Sequence, residues 1–404
     1  MEYKYHTNCR VCNSTDLKMY LDLGLLPLSN NLAESADDKI HNQKYPLQVM
    51  LCGECGLSQL SIVIPPEVLF SHYVYRSSIS QGYINHCRSM AETIKEKYNL
   101  TDKSFCIDIA GNDGALLKEF KEVIGCKVLN VDPAKNLYQI CEDKGVRMFC
   151  TFWGIDAANH IAANWHQKAD IITATNVFAH VNDIKGFIEA VKIVLAPTGK
   201  LILEFPYLID FIEKKEFDTV YFEHLSYMSI GPLNNLVTGL GLEIESVERF
   251  DIHGGSVRVT IGYGTPDMSS FQFPMDEVKY RRIHRYNDFS QAVAKTLFDF
   301  RENLLKLQNV AAFAASAKGN TLLNCAGITN EHLMYIIDET PEKVGKFSPG
   351  TRIPILSMEA LKNNPPDYLL ILSWNFLDEI ISKTRKAGYT GKYLVPIPEF
   401  KIID

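Results

Sequence analysis

Residues 105–114 read Phe105-Cys-Ile-Asp-Ile109-Ala110-Gly111-Asn112-Asp113-Gly114. The first five form an apolar run of strand length. The next five form a turn before a helix predicted from Leu116. A glycine-containing strand-to-helix turn lets a ligand approach the backbone at the carboxyl edge of a parallel sheet. A second strand is predicted over Lys127–Val131, followed by Asp132 and Pro133. An acid at that place, about 20 residues past the turn, is positioned to accept from ribose hydroxyls. The pair implies an adenosine-containing ligand. Spaced glycines that would seat a pyrophosphate are absent, which favours S-adenosylmethionine over a dinucleotide. Expected cofactor contacts are Ala110, Gly111, Asn112, Asp113, Asp132 and Pro133, with Asn176 and Val177 after a later strand.

Downstream, the order of elements is that of a class I methyltransferase sheet. Residues 169–174 read as a fourth strand, ending in Thr175-Asn176-Val177-Phe178-Ala179-His180. A helix over 183–195 is stopped by Ala196-Pro197-Thr198-Gly199, and 200–205 form a fifth strand. Strands near 242–250 and 256–263 fit the antiparallel pair that closes such a sheet. Upstream, Ile84, Cys87, Met90, Ile94 and Tyr98 give an amphipathic helix.

Residues 218–229, Asp-Thr-Val-Tyr-Phe-Glu-His-Leu-Ser-Tyr-Met-Ser, follow the fifth strand and gather Tyr221, Glu223, His224 and Tyr227. A histidine supplies a base near neutral pH, a carboxylate can orient it, and phenols donate or accept. A plain loop with buried aromatics is the alternative. Its place at the sheet edge, with His180 over the same crevice, favours chemistry.

Two C-x2-C knuckles, Cys9/Cys12 and Cys52/Cys55, have the spacing of a closed four-thiolate shell, which suits structural zinc. The long gap between them predicts a small β insert. The other six of the ten cysteines are scattered as ordinary core residues. The start is polar, without the apolar run of a secretory signal, so the thiols are expected to be reduced and the protein cytoplasmic.

The length, 404 residues, calls for two or three domains, and 46% apolar with 22% charged residues fits a globular chain. A net charge of −7 speaks against nucleic-acid binding, and no apolar run is long enough to span a bilayer. Past a helical stretch over 275–307, strands at 310–315, 335–338, 368–372 and 393–396 alternate with helices. Ser316-Ala-Lys318-Gly-Asn320-Thr321 lies at a strand-to-helix turn suited to a diphosphate. Pro349-Gly-Thr351-Arg352-Ile-Pro354 reads as a rigid loop. The expected organisation is α/β: a zinc-binding domain (1–70), an S-adenosylmethionine-binding methyltransferase domain with a Rossmann-like sheet (71–265), and a C-terminal α/β domain (266–404).

Taken in order, these motifs resemble the deoxysugar C-methyltransferases that act on nucleotide-linked sugars. The likeness covers almost the whole chain. It is carried by the paired knuckles, Gly24-Leu-Leu-Pro-Leu-Ser-Asn30, Asn112-Asp113-Gly114, Asn176-Val-Phe-Ala-His180, Tyr221-Phe-Glu-His-Leu-Ser-Tyr227, His253-Gly-Gly-Ser-Val-Arg258 and Ser316-Ala-Lys-Gly-Asn-Thr321. Ala110 and Ala314 stand where that family usually has glycine, and Phe222 where a polar residue is common. The resemblance implies C-methylation, at C-3, of a nucleotide-diphosphate-linked 4-keto-6-deoxy sugar through an enolate. C-5 methylation, O-methylation and a zinc-guided nucleic-acid methyltransferase are the alternatives. The expected base is His224, oriented by Glu223, with Tyr221 as the competing base. Tyr221 and His180 would serve the sugar oxygens, and Tyr75 would close the site. Lys318, Asn320 and Arg352 would hold the nucleotide-sugar in the C-terminal domain. The expected assembly is a monomer or small homo-oligomer without nucleic-acid or membrane partners.

Overall fold

Phe105–Ile109 is buried along its whole length because it is flanked by strands on both sides. In the computed structural model, which describes residues 3–71, 73, 76–250 and 254–404, this strand (β1) lies within a seven-stranded sheet. The others are β2 (Lys127–Val131), β3 (Met148–Phe149), β4 (Ala169–Thr175), β5 (Leu195–Pro206), β6 (Glu243–Phe250) and β7 (Ser256–Gly262). Their order is β6-β7-β5-β4-β1-β2-β3. The first five are parallel, and β7 runs antiparallel between β5 and β6. The order reverses beside β1, and a crevice opens there at the carboxyl ends of β1 and β4. β3 escaped the sequence reading because two residues show no periodicity.

The helix Gln81–Tyr98 packs on this sheet through Tyr83, Cys87, Met90, Ala91 and Ile94. Tyr83, not Ile84, begins its buried stripe. Its N-cap is Ser80, and Asn99 ends it in the left-handed conformation.

The insert between the cysteine knuckles is a β hairpin: Leu17–Leu26 and Tyr45–Cys52 pair antiparallel, and Ser58–Leu60, just past the second knuckle, adds a third strand. A fourth strand completes this sheet from far along the chain. Ser226–Tyr227 pairs with Ser58–Gln59, so the 218–229 loop ends inside the N-terminal sheet.

The C-terminal sheet has six strands, in the order Ile355–Leu356, Ile336–Ile337, Val310–Phe313, Tyr368–Ile371, Lys392–Val395, Lys401–Ile403. The two outer ones were not read from sequence, being two and three residues long. The N-terminal and C-terminal units are joined. Asn320 Nδ2 donates to the Ser29 carbonyl at 2.7 Å, Ser29 and Thr321 share a hydroxyl hydrogen bond at 3.1 Å, and Ala33 bridges Phe347. Among the described residues no helix is long and apolar enough to cross a membrane.

Candidate active site

A cavity of about 740 Å³ runs from the carboxyl ends of β1, β2 and β4 to the C-terminal sheet. Ala110, Asn112, Asp132, Pro133, Asn176 and Val177 line one part; His180, Thr219, Tyr221 and His224 line the middle; Ser316, Ala317 and Lys318 line the far wall.

The cofactor end is built by one carboxylate. Asp132 Oδ2 accepts from the Asn112 N–H at 2.9 Å, and Oδ1 accepts from the Ala134 N–H at 2.8 Å. The turns after β1 and β2 are thereby locked together. Burial pushes the Asp132 carboxyl up, against the backbone donors that favour its charge. Carboxylate oxygens have lone pairs left after two such bonds, so a ribose can still be served. The aromatic and apolar residues Phe152, Trp153 and Ile155, past β3, line the same end. They were missed because nothing local marks them. A carboxylate beside an apolar wall at the end of β2 fits the adenosyl part of S-adenosylmethionine.

Two expected cofactor contacts, Gly111 and Asp113, do not line the cavity. A Cβ at Gly111 would meet Asp108 Oδ2 at 2.5 Å and Asn130 Oδ1 at 2.6 Å, so protein side chains, not a ligand, require the glycine. Asp113 is fully buried and pairs with Lys144 Nζ at 2.9 Å and with Ser78, which turns it away from the cavity. Ala110 adopts φ 52° and Ala314 φ 75°, both left-handed, which accounts for glycine being usual at both positions.

In the middle of the cavity, the short turn from Thr219 to His224 brings three groups together. The Thr219 carbonyl accepts from His224 Nδ1 at 2.8 Å, leaving Nε2 as the acceptor for the Tyr221 hydroxyl at 2.7 Å. His180 meets His224 edge-on, with ring centroids 4.9 Å apart. Burial holds both imidazoles neutral, with His180 lowered to about 4 and His224 well below the usual histidine value. Burial also keeps the Tyr221 phenol well above 10.

Glu223 does not orient His224. Consecutive side chains diverge, and Glu223 Oε1 instead accepts from Asn30 Nδ2 at 2.9 Å while Oε2 is buried without a hydrogen-bond partner. The Thr219 carbonyl takes the orienting role, and a backbone group carries no sequence signal. Burial raises the Glu223 carboxyl to about 6. Tyr75, with His72 and His253, lies outside the described residues.

On the far wall, Lys318 Nζ is buried without a hydrogen-bond partner, 5.3 Å from the Trp374 ring centroid. Trp374 Nε1 donates to Asp218 Oδ2 at 2.8 Å, tying this wall to the 218–229 loop. Lys343 also lines the cavity, bonded to the Ala315 carbonyl and Asp338. Asn320 and Arg352 do not line it. Asn320 Nδ2 is bonded to the Ser29 carbonyl, and Arg352 sits at φ 59° in a loop whose Gly350 and Phe347 meet His41 and Ala33. Both belong to the brace between the terminal units.

The four knuckle sulfurs lie within 4.8 Å of one another, with Cys9–Cys55 at 3.5 Å and Cys12–Cys52 at 3.6 Å. A tetrahedral shell with Zn–S of about 2.3 Å needs sulfurs about 3.8 Å apart, so the thiols fit zinc.

Known protein families match this chain along most of its length. Profiles of three families match in succession: a zinc binding domain over residues 9–70, a methyltransferase domain over 87–247 and a C-methyltransferase C-terminal domain over 251–398. The C-methyltransferase NovU of Streptomyces niveus is 33% identical over 407 aligned residues, spanning 98% of this chain and 96% of that protein. Among solved structures, an S-adenosylmethionine-dependent methyltransferase from Clostridium acetobutylicum aligns with 45% of this chain and 92% of its own, at 13% identity and a TM-score of 0.35. Magnesium protoporphyrin IX methyltransferase from Synechocystis PCC 6803, with bound S-adenosylmethionine, aligns with 45% and 79%, at 12% identity and a TM-score of 0.34. With the three profiles in order and one relative matched end to end, the chain belongs to the C-methyltransferase family.

Proposed function

We propose that this enzyme C-methylates a nucleotide-diphosphate-linked 4-keto-6-deoxy sugar, at C-3, through an enolate. The observation that carries the reading is the neutral Tyr221–His224 pair in a cavity between the cofactor turns and a wall bearing a lysine without a hydrogen-bond partner.

A carbon beside a ketone becomes a nucleophile only when its proton leaves. His224 Nε2 is the base, with its tautomer fixed by the Thr219 carbonyl. Tyr221 bridges Nε2 and the cavity, so the proton passes directly or through the phenol. Donors at Tyr221 and His180 serve the developing oxyanion. The cofactor, when bound, supplies a methyl group on a sulfonium electrophile. Asp132 and Asn112 would hold its ribose, with Ala110, Pro133, Asn176 and Val177 lining the same part of the cavity. Lys318 offers its charge to the diphosphate. The C-terminal unit (266–404) holds the nucleotide, the middle unit (71–265) the cofactor, and the N-terminal unit (1–70) a structural zinc.

Incubation with nucleoside-diphosphate 4-keto-6-deoxyhexoses and S-adenosylmethionine, followed by NMR of the product, tests the reading. A new C-3 methyl branch is expected. A methyl ether, a C-5 branch, or turnover of an oligonucleotide in place of the sugar would overturn it.

A further inference from the structure

Arg10 lies inside the first knuckle, between Cys9 and Cys12, yet is only 7% exposed. Its backbone N–H donates to Gln59 Oε1 at 2.9 Å and Nη1 donates to the Leu60 carbonyl at 3.0 Å. Its Nε donates to Asn182 Oδ1 at 3.1 Å, and Asn182 lines the cavity two residues past His180. Gln59 and Leu60 form the edge to which the 218–229 loop is attached. The Leu60 N–H donates to the Leu225 carbonyl at 2.9 Å, and Ser226 and Tyr227 pair with Gln59 and Ser58. One guanidinium thus touches the strand that fixes the residues just after His224 and the turn just after His180.

We propose that Arg10 is a positioning residue that registers the His180 turn and the His224 loop against the cysteine knuckles. A buried cation is costly without nearby negative charge. Four thiolates around a divalent zinc would carry a net charge of −2, and Arg10 directly follows one of them, Cys9, in the chain. That charge would offset part of the cost of burying the arginine, whose Nη2 has no hydrogen-bond partner, and the arginine holds both histidine-bearing segments. The inference rests on the catalytic reading of those segments, so its test includes a measurement independent of turnover.

The experiment compares zinc-loaded wild type with Arg10→Met, Arg10→Lys and Asn182→Ala. Metal content, amide hydrogen exchange, and kcat and KM for both substrates are measured. Arg10→Met should retain zinc, exchange faster in peptides covering 56–62 and 222–229, and lose on the order of 10–10² in kcat, as small misplacements do, with both KM values nearly unchanged. Arg10→Lys should recover part of both effects. Asn182→Ala should lower kcat without altering zinc, and Arg10→Met should then cost less in that background than in wild type. Zinc-loaded Arg10→Met with wild-type exchange and kcat would overturn the proposal, as would additive effects of the two substitutions. Faster exchange with unchanged kcat would support the tether and count against the catalytic reading of the loop. Should Arg10→Met fail to fold, Asn182→Ala decides alone: unchanged kcat overturns the proposal and lowered kcat at constant KM supports it.

Discussion

The Asn112 N–H donates to Asp132 Oδ2 at 2.9 Å, joining the ends of the first two strands of the central sheet. Asp132 is therefore both a cofactor contact in the proposed site and the clasp of the crevice. Asp132→Ala should weaken S-adenosylmethionine binding at least tenfold, the scale of a hydrogen bond to a charged group. Nucleotide binding, by calorimetry, should persist. Unchanged cofactor affinity would place the ribose elsewhere.

The zinc assignment makes a stoichiometric claim. Protein purified under reducing conditions should carry about one zinc per chain, as four thiolates close one shell. Cys9→Ser should lower the melting temperature more than it alters the chemical step, because a closed shell offers no open position for water. Active protein without zinc by metal analysis would contradict the assignment.

Ala110 and Ala314 sit at φ 52° and 75°. The left-handed conformation costs an L-residue about 1–2 kcal/mol, and glycine loses about 0.4–1 kcal/mol through its freer unfolded chain. Ala110→Gly and Ala314→Gly should therefore each stabilise by a few tenths to about 1 kcal/mol, read as a rise in melting temperature. A fall would show that the alanine methyls make contacts worth more than the strain.

Burial, reinforced by the neighbouring His180, keeps His224 well below the ordinary histidine value. A base held neutral in this way has no protonation limb in the ordinary histidine range, so kcat should stay flat from pH 8 down through about 6.5. A limb centred near 6.5 would contradict the buried neutral base. A limb near 6 that vanishes in Glu223→Gln would instead mark the Glu223 carboxyl, which burial raises to about 6.

Much of this was legible in the sequence, for identifiable reasons. The strands of the central sheet, the two-residue Met148–Phe149 apart, are largely apolar runs with turn residues at their ends, and the antiparallel pair at its edge lies at the predicted positions. Two C-x2-C knuckles predicted one cluster, and the structure brings all four sulfurs together. The expected site residues that do not line the cavity share a different cause. Gly111, Asp113, Asn320 and Arg352 lie near site residues in sequence, but their contacts are with Asn130, Lys144, Ser29 and the brace loop. Only packing decides which way each points. The orienting partner of His224 is a backbone carbonyl, and the strand at Ser226–Tyr227 is two residues that pair with a segment more than 160 positions away. Neither leaves a local pattern.

The central claim is that His224, held by Thr219 and bonded to Tyr221, removes a proton beside the substrate ketone. Solvent exchange measures that step without methyl transfer, by following deuterium uptake at C-3 of the nucleotide-linked 4-keto sugar in deuterated water. Wild type should catalyse the exchange, and His224→Ala should lose on the order of 10²–10⁴ in its rate while still binding S-adenosylmethionine. Tyr221→Phe should retain measurable exchange. Wild-type exchange in His224→Ala, with exchange abolished in Tyr221→Phe, would contradict the account and make Tyr221 the base.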